Sequence, residues 1–125
     1  MAEVISLDLA DLSADVRALG AAIRSFAKVS DIALTESLKW GQPSFAPPRS
    51  TGTPVRIGES AGRPAVFVHC TSPVVAQFLG VVPDAMTEGT RAFFPDGADD
   101  PALPVFLSIA FGYRKFAKGA PKRTN

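Results

Sequence analysis

The residues of this chain best equipped for chemistry are few and easily named. The single tryptophan, Trp40, sits in the string Lys39-Trp40-Gly41-Gln42-Pro43. The single histidine, His69, precedes the single cysteine, Cys70, and the one tyrosine is Tyr113. An indole offers a flat face for a planar ligand or a cation, and a ring N–H for a hydrogen bond. Arginine forks grip oxyanions, and a lysine adds a mobile positive charge. Arg56, His69, Arg91 and Tyr113 are expected to meet on one sheet face, with Lys39 at its edge. Trp40 and Gln42 would stand at the mouth of this small anion-binding cleft. The same residues allow a plainer arrangement. Trp40 would then be an apolar plate anchoring the core where a helix turns into a strand, with Gly41 and Pro43 shaping the corner and the arginines solvated.

Other chemistries have less to draw on. His69 would act as a general base only if it faced a concave pocket. On a strand, His69 and Cys70 point to opposite faces, so they form neither a nucleophile–base pair nor a shared metal site. Neither GxGxxG nor a P-loop string occurs, so no glycine-rich phosphate cradle is expected. Asp96, Asp99 and Asp100 lie close enough in sequence to hold a hard cation, or to form a solvated turn. Glu3, Asp8, Asp11 and Asp15 could line an acidic ridge along an arm and first helix, or simply compensate the helix dipole.

The totals bound the rest. At 125 residues the chain is the length of one domain, and 46% hydrophobic against 20% charged content is ordinary globular usage. Thirteen Lys and Arg against 12 Asp and Glu give a net charge of +1, far from the basic stripe of a nucleic-acid binder. One cysteine excludes an intrachain disulfide and a cysteine-rich zinc site. No apolar run approaches the ~20 residues of a membrane span, and Glu3 and Asp8 interrupt any signal-peptide layout. The expectation is a cytoplasmic protein that binds neither nucleic acid nor membrane, with no cofactor.

The elements that must position these residues follow from spacing. Ser13 is a good N-cap, and Val16, Leu19, Ile23, Phe26 and Ala27 recur at helical intervals over 14–29. Ser30-Asp31 reads as a second cap for a short helix over 32–38, with Leu34 and Leu38 one turn apart and Gly41 as its stop. A strand is expected near Ser44-Phe45, then a proline-rich loop over 46–53. Strands follow at 54–58 and 64–70, joined by a turn over 59–63. The second has two apolar faces and reads as central. Thr71 or Ser72 caps a helix that has Pro73 in its first turn and Gly80 at its end. A connection over 81–89, a strand over 91–94 and an acidic turn over 95–101 lead to a final helix over 103–118 with a wide apolar face. Residues 1–13 read as an arm, with 4–9 as an edge strand or docking segment. Residues 14–118 form one domain, and 119–125 form a basic tail. Strands do not alternate regularly with helices, so the class is α+β.

The string Glu36-Ser37-Leu38-Lys39-Trp40-Gly41-Gln42-Pro43, followed by Phe45, resembles the signature of the YdhG-like family, a bacterial domain of unknown function. The likeness continues at 52–57, 66–71, 89–92 and 103–113. It implies a compact fold similar to frataxin, in which N- and C-terminal helices pack on one face of an antiparallel sheet. One family member is described as an iron chaperone, so the resemblance brings iron as a possible cargo for Asp8, Asp11 and Asp15. Arg17, Arg24 and Lys28 on the first helix make its outer side mixed rather than acidic. The family supplies no catalytic residues. The function expected is non-enzymatic binding of a small ligand or a protein partner by a monomer or homodimer, with iron chaperoning or His69-based catalysis as alternatives.

Overall fold

A computed structural model describes residues 9, 10 and 12–119, with side chains up to residue 114. The first helix, α1 (Ala14–Val29), forms where its apolar spacing places it. The Ser13 hydroxyl accepts from the Val16 amide at 3.3 Å, and Asp15 stands in the first turn. The helix ends in a Schellman motif. Asp31 takes a left-handed conformation (φ 59°), its amide donates to the Lys28 carbonyl, and the Ile32 amide donates to Ala27. Ser30-Asp31 therefore closes one helix and does not open a second.

The chain leaves α1 extended. The segment expected as a helix over 32–38 is instead β1 (Thr35–Lys39), paired with β2 (Gln42–Ala46) in an antiparallel hairpin. Its two-residue turn is Trp40-Gly41, with φ of 51° and 76°. Positive φ at both positions is the twist that joins antiparallel strands tightly. Gly41 thus reverses a hairpin and stops no helix. Leu34 and Glu36 are buried, whereas Leu38 is 62% exposed. Glu36 takes its place on the core side by pairing with α1: Arg24 Nε and Nη2 donate to its two carboxylate oxygens at 2.9 and 2.7 Å.

A second hairpin of the same kind joins β3 (Val55–Ser60) to β4 (Arg63–Phe67) through Ala61-Gly62, with φ of 54° and 76°. The strands therefore run further into the 59–63 turn than their spacing suggests. The other end of β4 is shorter than expected, and His69 and Cys70 lie beyond it. Helix α2 (Val74–Val81) has Pro73 at its N-cap without any side-chain cap. Thr71 and Ser72 do not fill that role. Two short strands, β5 (Thr87–Glu88) and β6 (Ala92–Phe93), pair with each other, so the connection over 81–89 contains a strand. The long helix α3 (Ala102–Gly119) starts where the Asp100 carboxylate accepts from the amides of Ala102 and Asp96 at 2.8 Å each. That explains the acidic turn as a helix cap.

The six strands form one antiparallel sheet in the order β1-β2-β3-β4-β6-β5, so β4 is central. All three helices contribute to a single core on one face. Val16, Leu19 and Ile23 of α1 meet Phe45, Val55, Ile57 and Val66 of the sheet. Phe78 of α2, Phe93 of β6 and Phe106 of α3 join their rings at centroid distances of 4.7, 5.0 and 5.1 Å. Offset and edge-on rings at these distances add roughly 0.5–1.5 kcal/mol per pair beyond the area buried. Ala65, Phe67, Ala92 and Phe94 alternate with these core residues and form a smaller buried cluster on the opposite face. No described helix is long and apolar enough to cross a membrane.

Candidate functional site

The sheet face away from the helices carries the polar residues of the first three strands. Cross-strand partners point to the same side. The register Lys39↔Gln42, Ser37↔Ser44, Ser44↔Arg56 and Arg56↔Phe67 therefore sets these residues side by side. Arg56 is at the centre. Its Nε donates to Gln42 Oε1 at 3.1 Å, and its guanidinium carbon lies 4.8 Å from the Trp40 ring centroid and 5.8 Å from that of Phe67. Gln42 reaches Arg56 by lying over Gly58, where a Cβ would come within 2.6 Å of the Gln42 amide nitrogen. A side chain at position 58 would push the Gln42 amide from this position.

At the end of the sheet where β3 begins and β4 ends, this face borders a cavity of about 490 Å³. Lys39, Trp40, Ser44 and Arg56 line it from the sheet, and Thr53 and Pro54 from the loop before β3. His69, Thr71 and Ser72 come from the loop after β4, and Tyr113 and Arg114 from α3. Helix α3 reaches the cavity because the 51–53 segment straps onto it. The Thr53 amide donates to the Ala110 carbonyl, and the Arg114 amide donates to the Thr51 carbonyl, each at 2.8 Å. Gly52 sits flush against the helix backbone, where a Cβ would stand 2.3 Å from the Ala110 oxygen.

The cavity wall is cationic. Lys39, Arg56 and Arg114 line it, and no Asp or Glu among the described residues does. Burial, and then the positive charge of nearby Arg91, push the Arg56 pKa down, so this guanidinium carries charge against its surroundings. The Arg114 guanidinium lies 5.5 Å from the Tyr113 ring centroid. The Ser72 hydroxyl oxygen is buried with no hydrogen-bond partner among the described residues.

His69 faces this cavity and is exposed, which meets the geometric condition for a base. Its hydrogen bonds favour a different role. The Thr71 amide, which can only donate, points at His69 Nδ1 at 3.2 Å, and the Thr71 hydroxyl lies 2.7 Å from the same atom. In the neutral ring the proton then sits on Nε2, which leaves His69 a donor.

Five of the seven residues singled out from sequence, Lys39, Trp40, Arg56, His69 and Tyr113, border this one cavity. Gln42 stands behind Arg56 and holds it. Arg91 lies in the turn before β6, outside the wall, and acts on Arg56 through its charge alone. The core-anchor role for Trp40 does not survive: the residue is 82% exposed at the hairpin tip. The wall also includes Ser44, Thr53, Pro54, Thr71, Ser72 and Arg114, which sequence reasoning missed. Alternation with buried Phe45 was a usable signal for Ser44; the loop residues had none.

The metal candidates lie elsewhere. Asp8 and Asp11 fall outside the described residues. Asp15 is exposed and borders a separate cavity of about 200 Å³ with Arg63 and Asp96. Among the described residues no three His, Cys, Asp or Glu side chains group so as to hold a metal. No family model, curated protein or solved structure matches the chain.

Proposed function

We propose that this chain is a bacterial, cytoplasmic YdhG-like domain with a frataxin-like arrangement, and that it binds a small anionic ligand in the cavity beside Trp40. The observation that carries the binding reading is a ligand-sized cavity walled by Lys39, Arg56 and Arg114 with no carboxylate among the described residues. Pockets that take small molecules commonly run from about 300 to 1,000 Å³, and three cations in one wall with no carboxylate beside them among the described residues suit an anion. Support for the family reading comes from the KWGQP string at the β1–β2 turn and from terminal helices on one face of an antiparallel sheet. On this reading the site retains a ligand: the Nε2–H of His69 is left as a donor to it, and Lys39 and the arginines bind its charge. A panel of phosphate, sulfate, carboxylate and neutral ligands in a thermal-shift assay tests this. Anions should raise the melting temperature of the wild type and lose most of that effect in Arg56→Gln and Lys39→Gln. Equal shifts in folded variants and wild type would place the site elsewhere.

A further inference from the structure

We infer that the ligand is a phosphate monoester joined to a planar ring, of the class of a nucleoside 5′-monophosphate; this rests on the anion-site reading above. Charge comes first. Lys39, Arg56 and Arg114 bring three positive charges to one wall, and Arg91 adds repulsion at Arg56. A carboxylate returns one negative charge through two oxygens. A phosphate monoester carries roughly −1.5 to −2 at neutral pH on three acceptor oxygens. The donors exceed what a carboxylate can use: the Arg56 fork, Lys39, Arg114, the Nε2–H of His69 and the buried Ser72 hydroxyl, which has no partner among the described residues.

The ring follows from Trp40. A two-residue turn with positive φ at both positions favours Asn-Gly. Here a bulky indole occupies the first position at φ 51° and stays 82% exposed, so the core gains little from it. Backbone strain at an exposed aromatic on a cavity rim has a use when that aromatic meets a ligand. The guanidinium of Arg56 lies 4.8 Å from the ring centroid, and the low burial leaves the rest of the indole open. A flat heterocycle set on the indole would continue the arginine–indole stack while its phosphate reaches Arg56, Lys39 and Arg114. Stacking accepts any base, because every base has a π face, so Trp40 selects for a ring without selecting which one.

The test is calorimetric titration of the full chain with adenosine 5′-monophosphate, ribose 5-phosphate and adenosine, with quenching of Trp40 emission as a second readout. The nucleotide should bind about thirtyfold more tightly than ribose 5-phosphate, the middle of the stacking range, and more tightly still than adenosine. Trp40→Ala should bring the nucleotide down to the level of ribose 5-phosphate and leave the sugar phosphate unchanged. Arg56→Gln and Lys39→Gln, each checked for an unaltered melting curve, should weaken both phosphates. Equal binding of nucleotide and ribose 5-phosphate to the wild type would overturn the ring and leave the anion site standing. Equal binding of adenosine and nucleotide would overturn the phosphate. Failure of both phosphates while another anion of the panel binds at Arg56 would overturn the ligand class, and failure of every anion would overturn the site itself.

Discussion

Replacing Gly52 with alanine should loosen the C-terminal half of α3 and the cavity wall together. The added Cβ would stand 2.3 Å from the Ala110 oxygen, 2.4 Å from the Phe111 carbonyl carbon and 2.6 Å from the Phe111 oxygen. All three are backbone atoms of a helix and cannot step aside as a flexible side chain would. The strap must lift, which breaks the Thr53-to-Ala110 and Arg114-to-Thr51 hydrogen bonds. Two such bonds are worth about 1 kcal/mol each, and a forced contact of this kind costs roughly 1–3 kcal/mol where it is only partly relieved. The expected loss is therefore about 3 kcal/mol, or a melting temperature lower by roughly 12 °C at about 4 °C per kcal/mol for a chain of this size. Thermal unfolding followed by circular dichroism measures it, and anion affinity well below the transition should fall as well, because Tyr113 and Arg114 lose their placement. Gly112→Ala is the control on the same helix: nothing lies within 4 Å of its Cβ, so it should gain about 0.5–1 kcal/mol from helix propensity. A Gly52→Ala protein that melts within ~2 °C of the wild type, half of one such bond's worth, would refute the strap as a structural fastening.

Glu36→Gln should cost roughly 2 kcal/mol by removing a charge-assisted, two-pronged contact with Arg24, after allowance for screening at the half-exposed arginine; denaturant unfolding reads it. The Glu36 hydrogen bond holds the Arg24 pKa above its ordinary value. For a raised basic group the stabilisation is fully present below the ordinary arginine value and is lost only as pH rises through the folded one. The Glu36→Gln deficit should therefore show no dependence on Arg24 titration until strongly alkaline pH. Arg56 has the opposite sign, since its pKa is lowered: its charge opposes folding at every pH below its folded value, which offsets the Gln42 hydrogen bond and the ring contacts that Arg56→Gln removes, so thermal unfolding at pH 7 should place this variant within ~1 kcal/mol of the wild type. Trp40→Asn should leave stability within ~1 kcal/mol of the wild type, because relief of the positive φ offsets the lost arginine–indole contact. Anion binding should weaken steeply between 0.1 and 1 M salt, as the screening length falls from about 10 to about 3 Å.

Much of this architecture is legible in the residues, and the exceptions have physical causes. Helix α1 is read correctly because Ser13 and five apolar residues at helical spacing agree. Strand β3 follows from the alternation of Val55-Arg56-Ile57 and α3 from its wide apolar face, whereas the cap that Asp100 forms at the entry of α3 reads in the sequence only as an acidic turn. Strand β1 is misread because Leu34 and Leu38 mimic one helical turn. The left-handed Asp31, the Trp40-Gly41 turn that pairs the segment with β2, and the pairing of Glu36 with Arg24, 12 residues away in sequence, make it a strand. The Trp40-Gly41 turn is hidden for a related reason: a tryptophan at positive φ is not a turn signal that sequence offers. The cavity is half legible. Lys39, Trp40, Arg56, His69 and Tyr113 stand out by type. Thr53, Ser72 and Arg114 enter through the strap on α3 and the loop after β4, which depend on long-range backbone contacts. Arg91 has the right charge and misses the wall, because it falls in the turn before the two-residue strand β6.

The central claim is that an anion sits where Lys39, Arg56 and Arg114 converge. Amide and indole N–H chemical shifts recorded while phosphate is titrated into the isotope-labelled chain locate that contact residue by residue. The account expects saturable shifts at the Trp40 indole N–H, Arg56, Thr71-Ser72 and Tyr113-Arg114, with Asp15 and the turn around Asp96 and Asp99 unmoved. Shifts confined to α1 or to the 96–100 turn, or no saturable shift at the cavity, would contradict it.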